Sequence, residues 1–126
     1  MKRILVVDDD SSVLQVVARA LDAYDLRVAR GGIEALALAK MQTTLDLLIT
    51  DFLMPEMTGD ELIARMREQR PHLKALVITG HGDLLDRESP DWWRTEPHLS
   101  KPFRIQALRD AVQTLIGEGT GRDSPS

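Results

Sequence analysis

The feature of this chain that most narrows its fold is an alternation. Short runs of consecutive apolar residues are separated by longer segments with helical spacing. Ile4-Leu5-Val6-Val7 is the first run, rich in β-branched residues. A run with no polar residue at every second place suits a strand buried on both faces, as in a parallel sheet. Asp10 or Ser11 can then cap a helix whose apolar face carries Val13, Val16, Val17, Ala20 and Leu21. Leu26 to Ala29 is a weaker second strand, followed by a turn at Gly31-Gly32. Ile33, Leu36, Ala39 and Lys40 mark a short, Ala-rich second helix.

Leu47 to Thr50 is the third strand. Gly59, Leu62, Ile63 and Met66 give the face of a third helix that stops near Pro71. Ala75 to Thr79 is the fourth strand. The pattern then weakens. A short helix is expected around Asp83 to Glu88, Pro90 interrupts, and Trp92-Trp93 is an unusual apolar pair. A brief fifth strand is expected at His98 and Leu99. Ile105, Leu108, Val112, Leu115 and Ile116 define the last helix. The Gly, Ser and Pro content from Gly117 onward predicts a domain over 1–117 and a flexible tail over 118–126. Five strands alternating with five helices imply an α/β fold: parallel strands, right-handed crossovers and helices on both faces.

Bulk properties set limits on function. A chain of 126 residues, 43% hydrophobic and 29% charged, fits one globular domain with an ordinary core. Its formal net charge of −4 and scattered Lys and Arg argue against nucleic-acid binding. It has no cysteine, which excludes disulfides and thiolate metal sites. No apolar run approaches the roughly 18 residues of a membrane span. MKRILVVDDD meets acids too soon for a signal peptide, so the expected location is the cytoplasm.

The placement of the acids carries the functional reading. In a doubly wound sheet, ligands bind at the carboxyl ends of the strands. Asp8-Asp9 follows the first strand, Asp51 the third, Thr79-Gly80 ends the fourth and Lys101-Pro102 follows the fifth. If the first and third strands are neighbours, Asp8, Asp9 and Asp51 converge. Two like charges about 4 Å apart repel by about 4 kcal/mol at an effective dielectric near 20. Such a cluster calls for a hard divalent cation, Mg2+ first and Mn2+ second. Mg2+ favours one or two carboxylates together with a phosphate. Lys101 adds positive charge and Thr79 a hydroxyl, the groups that phosphoryl transfer uses. Asp51 is read as the nucleophile that becomes an aspartyl phosphate. Asp10 is read as a helix cap, and Met41, Met54, Met57 and Met66 as packing residues.

Four motifs in order, VVDDD, TDFLMPEMTG, ITG and SKPF, resemble the receiver domain of bacterial two-component response regulators, which is CheY-like. The similarity runs from about Lys2 to Ile116. It implies a flavodoxin-like fold with strand order 2-1-3-4-5. It implies that Asp51 takes phosphate from a histidine kinase or phosphotransfer protein. Asp9, Asp51 and the backbone carbonyl of Leu53 would hold Mg2+, with Asp8 acting through water. Thr79 would move to the phosphoryl group and Lys101 would pair with its oxygens. A downstream protein partner would read the face built from the fourth helix, fifth strand and last helix, and dimerisation stays open.

Two departures fall on that face. His98 stands where the family often has Tyr or Phe as partner of the Thr, and a His there could make output pH-sensitive. The fourth-helix segment is atypical and short. One Trp ring is expected to fill the gap; packing and a partner anchor both stand for the other. Two other functions compete with the phosphoryl switch. A Mg2+-dependent phosphohydrolase would need a second acid two residues after Asp51, where Leu53 stands. A constitutive interaction module would not need the full set of Asp8, Asp9, Asp51, Thr79 and Lys101.

Overall fold

The apolar runs become strands because each supplies both faces of one sheet. The computed structural model describes residues 1–117; the expected tail over 118–126 lies outside the described residues. Along β1 (Arg3–Val7), Leu5 and Val7 enter one core while Ile4 and Val6 enter the other. In β3 (Leu47–Asp51), Leu48 joins the first core and Leu47 and Ile49 the second. In β4 (Lys74–Thr79), Ala75 and Val77 oppose Leu76 and Ile78 in the same way. With β2 (Asp25–Ala29) and β5 (His98–Ser100), these strands make a five-stranded parallel sheet in the order β2-β1-β3-β4-β5. The α/β, doubly wound expectation and its strand order both hold.

Each face is closed by helices. α2 (Gly32–Lys40) and α3 (Gly59–Gln69) bring Ala35, Ala39, Leu62, Ile63 and Met66 to the first core. α1 (Ser11–Ala20) and α6 (Ile105–Ile116) bring Leu14, Val17, Leu108 and Val112 to the second. Asp10 caps α1, its carboxylate accepting the Ser12 N–H at 2.9 Å. Two side chains depart from expectation. Val16 is exposed, and Leu14 takes its place on the buried stripe of α1. The inward face is centred on Leu14, Val17 and Leu21, and Val16 falls outside that arc. Met41 caps the end of α2 and stands in solvent, while Met54, Met57 and Met66 are buried.

The weak segment holds two short helices instead of one. α4 (Gly82–Glu88) ends at Ser89 in the left-handed conformation. α5 (Asp91–Thr95) starts after Pro90, whose fixed φ suits the entry to a helix. Trp93 is buried, and Trp92 packs half-buried against the first core, so both rings serve packing. Among the described residues, no helix is long and apolar enough to cross a membrane.

Candidate functional site

Register brings the acids together. Val7 lies opposite Thr50, so the residue that follows each, Asp8 and Asp51, sits at the same carboxyl edge of neighbouring strands. One carboxylate oxygen each from Asp8, Asp9 and Asp51 lie within 4.8 Å of one another. Asp8 is 2% exposed and Asp51 8%, while Asp9 is exposed. Thr79 ends β4 opposite Ser100, and the Lys101 backbone N–H donates to the Thr79 carbonyl at 2.8 Å. That bond carries Lys101 back over the sheet edge, ahead of a cis Lys101–Pro102 peptide.

The Lys101 ammonium donates to Asp8 Oδ2 at 2.9 Å and lies 3.5 Å from Asp51 Oδ2. Asp8 Oδ1 accepts the Asp10 N–H at 2.9 Å. Both oxygens of Asp8 are therefore occupied. Asp9 makes no side-chain hydrogen bond among the described residues, and its carboxylate faces solvent. Burial pushes the Asp51 carboxyl above the usual carboxylate range; the Asp8 charge adds to this, and Lys101 opposes it. For Lys101, burial is the largest influence and acts downward. Asp8 and Asp51 together outweigh it, so its ammonium is held above the ordinary lysine range. Three carboxylates against one ammonium leave the pocket anionic. Its donors are all hard oxygens, the set that suits Mg2+ or Mn2+.

The remaining predicted residues surround this centre. Thr79 is fully buried, and its hydroxyl accepts the His81 N–H at 2.9 Å, closing the turn into α4. Leu53 follows in the loop after β3 with its side chain exposed, and among the described residues its carbonyl accepts no hydrogen bond. His98 is on β5 opposite Val77, with its ring flat on Trp93, the centroids 3.4 Å apart. A hollow around Lys2, Asp46, Arg70 and Lys74 opens at the opposite, amino-terminal rim of the sheet.

Comparison with known proteins agrees with this geometry. The sequence profile of the response regulator receiver domain matches residues 4–113. This chain belongs to the response regulator receiver domain family. It is 34% identical over 117 residues to the response regulator receiver protein CpdR of Brucella abortus, covering 92% of this chain and 98% of that protein. It is 27% identical to the transcriptional regulatory protein TrcR of Mycobacterium tuberculosis, of which it spans only 49%. A receiver domain from Clostridium thermocellum superposes with a TM-score of 0.81 at 29% identity, covering 92% of this chain and 94% of that one. The acidic pocket of Asp8, Asp9 and Asp51 is of the kind that receiver domains use for phosphorylation.

Two residues important to this receiver site escaped sequence reasoning. Gly59, the last residue of TDFLMPEMTG, was read as a motif position and part of a helix face, with no role of its own. A Cβ there would collide with the backbone oxygen of Asp51, and the Gly59 N–H donates to the Phe52 carbonyl at 2.6 Å. Glycine is required because the start of α3 crosses directly beneath the end of β3. Phe52 is the second. It follows Asp51 directly, its carbonyl accepts the Gly59 N–H, and its ring stacks on Trp92 with centroids 4.9 Å apart. The motif glycine was the available signal for the first; nothing in the sequence marks the second.

Proposed function

We propose that this receiver domain, residues 1–117, is a phosphoryl-accepting switch in the cytoplasm. Asp51 takes the phosphoryl group from a phosphohistidine on a histidine kinase or phosphotransfer protein. The observation that carries this reading is the convergence of Asp8, Asp9 and Asp51 within 4.8 Å beside the Lys101 ammonium. An Asp51 oxygen attacks phosphorus while the bond to the donor's imidazole nitrogen breaks. Lys101 already lies against this carboxylate and can follow the transferred oxygens.

Asp9 and Asp51 are the carboxylates free to hold Mg2+, with the carbonyl of Leu53. Asp8 is committed to Lys101 and Asp10 and acts indirectly. When bound, Mg2+ supplies the positive charge that lets phosphoryl oxygens enter an anionic pocket. Thr79 exchanges its bond to the His81 N–H for one to the phosphoryl group, and this alters the turn into α4. The result reaches a downstream protein through the α4–α5–β5–α6 face, a local charge change with a remote readout.

Hydrolysis as an enzyme's main activity lacks a proton donor, because Leu53 stands where a second acid would be needed. The experiment is an amide NMR spectrum with Mg2+, before and after adding beryllium fluoride as a phosphoryl mimic. The expected result is a shift of the Thr79 and Gly80 signals that Asp51→Asn abolishes. A silent Thr79 with Mg2+ bound would favour a constitutive module, and steady release of phosphate from varied monoesters would favour a hydrolase.

A further inference from the structure

Four aromatic rings run from the phosphoacceptor to the edge strand. Phe52, next to Asp51, stacks on Trp92 with ring centroids 4.9 Å apart and planes at 23°. Trp92 meets Trp93 edge-on at 5.7 Å and 83°. Trp93 lies flat on His98 of β5 at 3.4 Å and 14°. The series is tied to its surroundings at Phe52, at Trp93 and just after α5. Phe52 follows Asp51 directly in the chain, and its carbonyl accepts the Gly59 N–H at 2.6 Å. The Trp93 indole N–H donates to Asp86 of α4 at 2.9 Å. Glu96, which follows α5, is held by both terminal nitrogens of Arg67 on α3, one at 3.0 Å. Thr79 makes no comparable contact with His98. Its hydroxyl is engaged by the His81 N–H, and the imidazole is committed to Trp93.

We propose that α5 is the relay of this receiver, with Phe52 and Trp92 as positioning residues that carry the state of Asp51 through Trp93 to His98. The inference rests on the phosphoryl-switch reading above and specifies its route. A phosphoryl group on Asp51 adds bulk and charge to the residue covalently joined to Phe52. Phe52 cannot yield downward, because Gly59 is packed beneath the Asp51 carbonyl. The displacement therefore falls on the Trp92 ring. Rings in direct contact pass such a shift from one to the next, and Trp93, the buried member of the series, is pinned by its bond to Asp86. The series ends at His98, whose side chain is exposed on β5. Coupling of this kind is reciprocal, so whatever holds His98 also biases Asp51.

The test uses the full chain with Mg2+ and follows three signals with and without beryllium fluoride: the Thr79 amide, the Trp93 indole N–H and the His98 ring protons. In the wild-type protein all three shift. In Trp92→Leu, the Thr79 shift persists while the Trp93 and His98 responses fall at least about fivefold, the lower end of ordinary allosteric coupling. Trp92→Phe, which keeps a stacking ring, restores them. Phe52→Leu breaks the same contact from the other side and must give the same loss, which covers the case of a poorly folded Trp92→Leu. Trp93 and His98 responses that are undiminished in both leucine variants would overturn the relay. So would their absence from the wild-type protein when Thr79 responds. A wild-type Thr79 that does not respond would instead remove the phosphoryl-switch reading, and the relay with it.

Discussion

Lys101→Met removes a charge while keeping most of the side chain's length. The ammonium it deletes lies 2.9 Å from Asp8 and 3.5 Å from Asp51, and the side chain is 24% exposed. At an effective dielectric near 20, these distances correspond to attractions of about 6 and about 5 kcal/mol. Drawing an ammonium out of water costs several kcal/mol and offsets much of that gain. Asp8 and Asp51, with oxygens within 4.8 Å, keep a repulsion of about 3.5 kcal/mol or more with nothing to counter it. Breaking a fully buried pair costs about 3–5 kcal/mol, and partial exposure of Lys101 reduces this to about 2–4 kcal/mol.

The pH dependence has a definite sign. The Asp51 carboxyl is already raised by burial and by Asp8, and loss of Lys101 raises it further. A raised carboxyl favours the folded state when protonated. The destabilisation is therefore smallest below the ordinary carboxylate range and grows as pH rises through the raised pKa of Asp51. Mg2+ replaces the missing charge and returns part of the stability. Urea unfolding of both proteins at neutral and acidic pH, with and without Mg2+, reads all three effects. An unchanged midpoint at neutral pH, or a loss that ignores both pH and Mg2+, would refute the electrostatic account of the pocket.

Other outcomes follow from the same geometry. Asp51→Asn removes the raised carboxylate, so metal-free protein should unfold at higher urea than wild type at neutral pH, with the gain vanishing in acid. Gly59→Ala drives a methyl group into the Asp51 carbonyl and should cost about 1–3 kcal/mol while weakening beryllium fluoride binding, measured by urea unfolding and by titration. Thr79→Ala leaves the His81 N–H without its partner and should cost about 1 kcal/mol, yet still permit phosphoryl incorporation, read by thermal unfolding and intact mass.

The sheet was legible because its three central strands are buried on both faces. Runs such as Ile4 to Val7 and Ala75 to Ile78 suit a parallel sheet because they feed apolar side chains to both of its faces. The acids were legible for the same reason, since strand ends locate a site in a doubly wound fold. Details that depend on one residue of phase were not. Leu14 and Val16 are equally apolar, and only the packing of α1 on the sheet separates them. α5 spans five residues, too short to show helical periodicity, and Pro90 interrupts the pattern just before it. Contacts between distant segments were invisible. The sequence placed Lys101 near the acids, but its closer pairing with Asp8 than with Asp51 depends on the path of the chain after β5. The stack of Phe52 on Trp92 joins residues on separate elements, and no local pattern encodes it.

The most direct test is the intact mass of the full chain after incubation with acetyl phosphate, followed by peptide mapping. The account predicts one added phosphoryl group on Asp51, dependent on Mg2+ and absent from Asp51→Asn. A chain that gains no mass with Mg2+ present, or that carries the group on another residue, would contradict it.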